Sequence, residues 1–321
     1  MIFNQSKLIY IICVFFISIF FSFIPLEVIK KGGFIDRENY INYLTYYSIR
    51  VDVNDFFNIY DYVTQEWLWH RIIFFLKDFF FLTPEFIFSL VSFISFFVAS
   101  LIVLKKTNSL VYVFFLINPI FIDFYYSQLR LAFAFSIWGI AYLLSEKYRK
   151  LSILFSLIAI FIHTASLFFI LYGFLVYFLS FSKINKFLKL IVLILCGFLT
   201  SIITGPLRYS ILSFFEDRRA EYVDMSFDII FSSFWMFLFI CIILDNLYIK
   251  KINLKDFQAY SIVFLSLILL NYFIGGYSSR FIAATYPFLI ISMYYLSSQL
   301  RAFCLTFYIF YSFILTYYWI V

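Results

Sequence analysis

Long apolar runs alternate with short polar connections along the whole chain. A helix needs about 17–25 mostly apolar residues to cross a bilayer. Runs that meet or approach that length fall at about 8–26, 86–104, 110–126, 131–145, 151–164, 165–182, 188–204, 229–247, 257–275, 281–299 and 302–320. The pattern predicts an all-α, polytopic integral membrane bundle of about eleven transmembrane helices. Two polar stretches are longer than the rest, 27–85 and 205–228. Within the first, Trp67-Leu68-Trp69-His70-Arg71-Ile72-Ile73-Phe74-Phe75-Leu76-Lys77-Asp78 predicts a helix over 67–82 lying in the membrane interface, with a re-entrant segment as the other reading. No linker rich in Pro, Gly or Ser and no internal repeat interrupts the series, so residues 1–321 read as one integral membrane domain.

Charge gives the orientation. When run ends are assigned alternately to two sides, Lys7, Lys105-Lys106, Lys147/Arg149/Lys150, Lys183/Lys186/Lys189, Lys250/Lys251/Lys255 and Arg301 all fall together, with few acids. Short basic connections mark the cytoplasmic side. The N-terminus is therefore expected in the cytoplasm, and both long loops outside. Lys7 precedes an apolar run that ends in the bulky Pro25-Leu26-Glu27 without a small-x-small site, which reads as an uncleaved first span.

Composition removes the soluble alternative. Charged residues are 13% and hydrophobic residues 64% of the chain, where soluble domains carry about 25% charged residues. The net charge of +6 then belongs to cytoplasmic loops, and no nucleic-acid partner is implied. Phe and Tyr are abundant together with Ile, Asn and Lys, as AT-rich codon usage produces, so aromatic content alone does not mark a ligand box. Cys13, Cys196, Cys241 and Cys304 lie in apolar runs without CxxC spacing, and His70 and His163 are the only histidines. Neither a disulfide framework nor a metal site is expected from them.

Ionisable residues at membrane depth are costly and point to function. Four outer places stand out. In Tyr125-Tyr126-Ser127-Gln128-Leu129-Arg130, Arg130 sits in a connection too short to be a free loop; it is either a desolvated phosphate-binding guanidinium or an arginine snorkelling to headgroups. His163, in Phe161-Ile162-His163-Thr164-Ala165-Ser166-Leu167, is a base, a phosphate donor or a hydrogen-bonded helix end. Gly275-Gly276-Tyr277-Ser278-Ser279-Arg280 repeats the lone outer cation beside a pair of glycines that permit a sharp turn. The loop 205–228 adds Arg218 and Arg219 among mixed charges that otherwise read as a solvated face. The first loop supplies acids: Asp36 and Glu38, with an acid-x-acid spacing, and Glu66 before the interfacial helix. Tyr40, Tyr43 and Trp67 can stack on sugars or anchor in the interface.

Together these elements resemble the bacterial polysaccharide polymerases, the O-antigen polymerase (Wzy) and EpsG-like family. The likeness covers most of the first half of the chain. It is carried by Asp36-x-x-x-Tyr40 with Tyr43, by Glu66-Trp67-Leu68, by Ser127-Gln128-Leu129-Arg130-Leu131-Ala132, and by Phe161-x-His163-x-x-Ser166-Leu167; Arg280 in a late outer turn fits as well. The third element reads Gln128-Leu129-Arg130 where the family often has Arg-Gln. The resemblance implies a GT-C-like architecture in the bacterial inner membrane and a glycosyltransferase activity without a cofactor. The implied substrate is an undecaprenyl-pyrophosphate-linked oligosaccharide at the outer leaflet, and the implied partners are a chain-length regulator and a flippase besides the bilayer. Arg130, Arg280, His163 and Glu66 are then expected as catalytic residues, with Gln128, Asp36, Tyr40, Tyr43, Arg218 and Arg219 binding substrate. Two other readings compete. One is a metal-dependent transferase using a polyprenyl-phosphate sugar, with Asp36 and Glu38 on a divalent metal; the other is a lipid-linked oligosaccharide flippase or transporter.

Overall fold

The computed structural model describes residues 5–46, 59–214, 229–249, 254–276 and 278–321. Among them every regular element is helical: α1 (Gln5–Phe23), α2 (Ile35–Tyr46), α3 (Ile59–Thr64), α4 (Trp67–Phe80), α5 (Pro84–Thr107), α6 (Leu110–Phe114), α7 (Pro119–Tyr126), α8 (Leu129–Leu144), α9 (Arg149–Ile162), α10 (Ser166–Phe181), α11 (Lys186–Thr204), α12 (Arg208–Phe214), α13 (Ile229–Leu244), α14 (Asp256–Ile274), α15 (Ser278–Tyr294) and α16 (Ser298–Ile320). They form two compact units, one of residues 1–171 with 319–321, the other of residues 172–318.

In the first unit α5 is central, with α1, α2, α4, α7 and α8 packed on it. Its ends are written in the sequence: Thr83 accepts the Phe86 N–H at 3.4 Å, Pro84 needs no partner for a missing N–H, and Asn108 stops the helix at φ 51°. Gly139 lets α8 approach closely, since a Cβ there would lie 2.8 Å from Val98. Ser92, Ser95 and Ser136 donate to carbonyls four residues back, which satisfies their hydroxyls where lipid offers no partner. The helix expected at 67–82 is α4. It buries Trp69, Ile73 and Phe74 and exposes Phe75, Phe79 and Phe80, a face that suits lipid contact.

The run 110–126, expected as one span, is instead α6 and α7 with a break between them. Asn118 accepts the Ile120 N–H at 3.1 Å and Pro119 follows, so a new helix starts there. α7 then meets α8 at a bend of 95°.

In the second unit α14 packs against α11, α13 and α15. The Gly275-Gly276 turn has φ values of 76° and 130°, and a Cβ on Gly276 would lie 2.9 Å from Asn271 Nδ2 and 3.2 Å from Gly205 Cα. Both the backbone conformation and the close approach therefore require glycine.

Among the described residues α5, α11, Ile230–Tyr248, α14 and α16 are long and apolar enough to cross a membrane, and the bent α7–α8 pair passes the same test together. Lys7–Phe23 and α10 are shorter apolar helices.

Candidate functional site

Tyr40, Glu66, Arg130 and His163 come from four separate stretches and meet in the first unit. Glu66 occupies the turn between α3 and α4 with φ 52° and ψ 42°. A non-glycine residue in that left-handed region costs of order 1–3 kcal/mol, a strain that clusters at functional sites. Its side chain is only 3% exposed. The Oε2 atom pairs with Nη1 of Arg130, and Oε1 stands 3.6 Å from Nε2 of His163. A carboxylate this deep needs such compensation.

Arg130 lies in the first turn of α8, directly after the bend, with its side chain 23% exposed. Its Nε donates to the Tyr40 hydroxyl at 2.7 Å, and the guanidinium carbon sits 5.4 Å from the Tyr40 ring centroid. Tyr40 in turn leans on Trp69 and Phe88, at 6.0 and 5.9 Å between ring centroids. Burial raises the Tyr40 phenol above its usual value, opposed by the nearby Arg130 charge. The phenol is therefore a neutral hydrogen-bonding group.

His163 ends α9 in extended conformation, and its Nδ1 accepts the Ala165 N–H at 3.1 Å. In the neutral ring the proton is then on Nε2, the nitrogen that faces Glu66. Its carbonyl accepts the Ser166 hydroxyl at 2.8 Å, which starts α10. The imidazole, the carboxylate and the guanidinium thus form a row with Glu66 at its centre.

The helix that carries Tyr40 also carries the centre of a second polar cluster. Arg37 on α2 is 2% exposed. It donates to Ser89 Oγ at 3.0 Å, to Ser92 Oγ at 3.5 Å and to the Tyr126 carbonyl at 3.4 Å; its Nε is 3.4 Å from Glu27 Oε1. Burial pulls its pKa down, and Tyr126, Glu27 and Glu85 push it back up. Nearby, Lys30 and Asp123 pair at 2.8 Å, and Trp319 Nε1 donates to Asp123 at 3.3 Å.

Gln128 precedes α8 and is partly buried, its Oε1 without a hydrogen-bond partner. Asp36 and Glu38 are exposed on α2, and among the described residues no three His, Cys, Asp or Glu side chains gather as a metal-ligand group. Tyr43 packs edge-on against His70 and Phe74, each at 5.7 Å. Arg280 starts α15 in the second unit and is partly buried. Arg218 and Arg219 lie outside the described residues. Sequence reasoning overlooked Arg37, Lys30 and Asp123. A lone acid inside the apolar run Phe121-Ile122-Asp123-Phe124 is the signal that was present for the last.

The fold and its apolar helices define an all-helical membrane protein. No family model matches the sequence, and neither a curated protein nor a solved structure is significantly similar to it.

Proposed function

We propose that the chain is a membrane glycosyltransferase that polymerises oligosaccharide repeat units carried on a polyprenyl pyrophosphate. The observation that carries this reading is the Arg130 centre: a partly exposed guanidinium held by a buried carboxylate and a partly buried phenol, with an imidazole on the other carboxylate oxygen. The reaction needs little more. The leaving group is already an anion, so no general acid is required, and a fixed guanidinium stabilises the charge that develops on it. The bond between sugar C1 and the phosphate oxygen breaks with its electron pair leaving on the pyrophosphate. The acceptor hydroxyl oxygen bonds to C1, and its proton passes to the Glu66–His163 pair.

The sidedness of the first unit supports the reading. At the end of α8, Lys105 donates to the Leu143 carbonyl at 3.1 Å, and Glu146 pairs with Lys105 and Lys106 at 3.3 and 3.5 Å. Arg130 is at the opposite end of this 16-residue helix, about 20 Å from Leu143. With the basic end in the cytoplasm, the centre faces the outer leaflet, where such lipid-linked units are used. Eleven crossings and a GT-C-like arrangement belong to the same proposal; they require α6 and α7 together to make one crossing.

A lipid-linked oligosaccharide transporter is the second reading, favoured by the broken α7–α8 pair, because discontinuous helices are common in transporters. One experiment separates the two. In a strain lacking the gene, surface polysaccharide is resolved on a gel. A polymerase leaves single capped repeat units and no ladder. Loss of every repeat unit from the surface rejects polymerisation in favour of transport or an earlier transfer.

A further inference from the structure

We propose that Arg37 is a positioning residue for the Arg130 centre, fixing both the bend from which Arg130 projects and the helix that presents Tyr40 to it. Its consequence for catalysis rests on the polymerase reading; its structural role does not.

The helix α2 is polar, and its buried residues are Arg37 and Leu44. They bracket Tyr40 at spacings of three and four, so all three share one helical face. An apolar side chain at position 37 would anchor the helix without burying a charge, and replacing buried ionic groups by apolar ones of similar volume is often well tolerated. The guanidinium must supply something that an apolar anchor does not.

What it supplies is a grip on the bend. Tyr126 is the last residue of α7, where carbonyls lack intrahelical partners and carry the negative end of the helix dipole. Arg37 Nη1 donates to the Tyr126 carbonyl at 3.4 Å, and the guanidinium carbon lies 4.1 Å from the Tyr126 ring centroid. The chain turns by 95° immediately afterwards, and Arg130 follows four residues on. The other arm of the fork holds Ser89 on α5, the central helix of the unit. Glu27 balances the charge and also accepts the Tyr126 hydroxyl at 2.8 Å.

The contacts close into a ring. Arg37 holds the bend, the bend carries Arg130, Arg130 Nε holds the Tyr40 hydroxyl, and Tyr40 returns through α2 to Arg37. Glu66 compensates the charge of Arg130, whereas Arg37 fixes its backbone. At 2% exposure Arg37 cannot itself meet a substrate.

The test uses the full-length protein in detergent with 3-fluorotyrosine incorporated at position 40, so that its fluorine resonance reports the Arg130 contact directly. In Arg37→Met the resonance moves toward its position in Arg130→Ala, and polymer synthesis falls about 10- to 100-fold, the scale of a misplacement near 1 Å. Arg37→Lys keeps the charge but not the fork, and its resonance and activity fall between Met and wild type. An unmoved resonance in either accumulated variant overturns the proposal, and the lysine variant serves if the methionine variant does not accumulate. A moved resonance with undiminished polymer supports the positioning and instead overturns the catalytic role given to Arg130.

Discussion

Arg130 donates through Nη1 to the carboxylate of Glu66, and the two differ sharply in depth: the glutamate side chain is 3% exposed and the arginine side chain 23%. That asymmetry decides how variants behave. Arg130→Ala strips the counter-charge from a buried carboxylate, which costs about 3–5 kcal/mol in a fully buried pair. Partial exposure of the arginine reduces the expected loss to about 2–3 kcal/mol. Combining Arg130→Met with Glu66→Gln removes both charges and restores most of the melting temperature, while polymer remains absent in both proteins. A double variant as unstable as Arg130→Ala would show that the pair's charge is not what holds this turn.

The backbone of Glu66 makes a separate prediction. At φ 52° a side chain is strained and glycine is not. Glu66→Ala and Glu66→Gly both lose the carboxylate and both lose activity. Glu66→Gly nevertheless melts higher, by about 1 kcal/mol of stability. Equal melting of the two, followed by circular dichroism in detergent, would remove strain from the account of this turn.

How far the sequence carried can be judged from particular residues. The apolar runs give the helical membrane class because lipid leaves a spanning chain little choice but helix. The break at Asn118-Pro119 was legible too, as an N-cap followed by proline, yet the surrounding apolar run masked it. Tyr40, Glu66, Arg130 and His163 could be named by residue type and by the side of the membrane assigned to them. Their convergence could not, because it depends on α2 and α4 packing on α5, α4 on α9, and α8 on α9. Arg37 was hidden inside Asp36-Arg37-Glu38, read as paired acids. On a helix those acids turn away and the residue between them turns in with Tyr40.

Tyr40 gives the pH dependence. Burial raises its pKa above the ordinary phenol value, so the folded protein holds this proton more tightly than the unfolded chain does. The linked stability is complete below pH about 10, the unfolded value, and is lost as pH rises beyond it. Tyr40→Phe removes the acceptor for Arg130 Nε and lowers turnover about 10- to 100-fold. Its activity profile between pH 6 and 9 keeps the wild-type shape, because the phenol does not titrate there. A limb below pH 9 that disappears in Tyr40→Phe would contradict a neutral phenol.

Chelation separates the polymerase reading from a metal-dependent transferase. Asp36 and Glu38 are exposed, and a hard divalent cation usually takes six or more oxygen ligands. Activity of the purified protein is expected to survive excess EDTA, and Glu38→Gln is expected to work at the wild-type rate. Loss of turnover with EDTA, restored by adding magnesium or manganese, would transfer the reaction to the metal-dependent class.

His163 separates its two nitrogens into two roles, and two substitutions can address them one at a time. The Nδ1 atom accepts the Ala165 N–H and so shapes the turn into α10, whereas Nε2 faces Glu66. An asparagine carboxamide reaches the position of Nδ1 and stops short of Nε2; a glutamine reaches toward Nε2 and gives up the turn contact. His163→Asn is therefore expected to melt within about 0.5 kcal/mol of wild type but to lose at least tenfold in turnover. His163→Gln is expected to lose about 1 kcal/mol of stability, the worth of one hydrogen bond, and to keep more of its activity than the asparagine variant. Thermal unfolding and polymer synthesis measured on the same preparations decide the matter. If asparagine retains full turnover, the Nε2 contact to Glu66 has no part in the reaction and His163 serves only as a helix end.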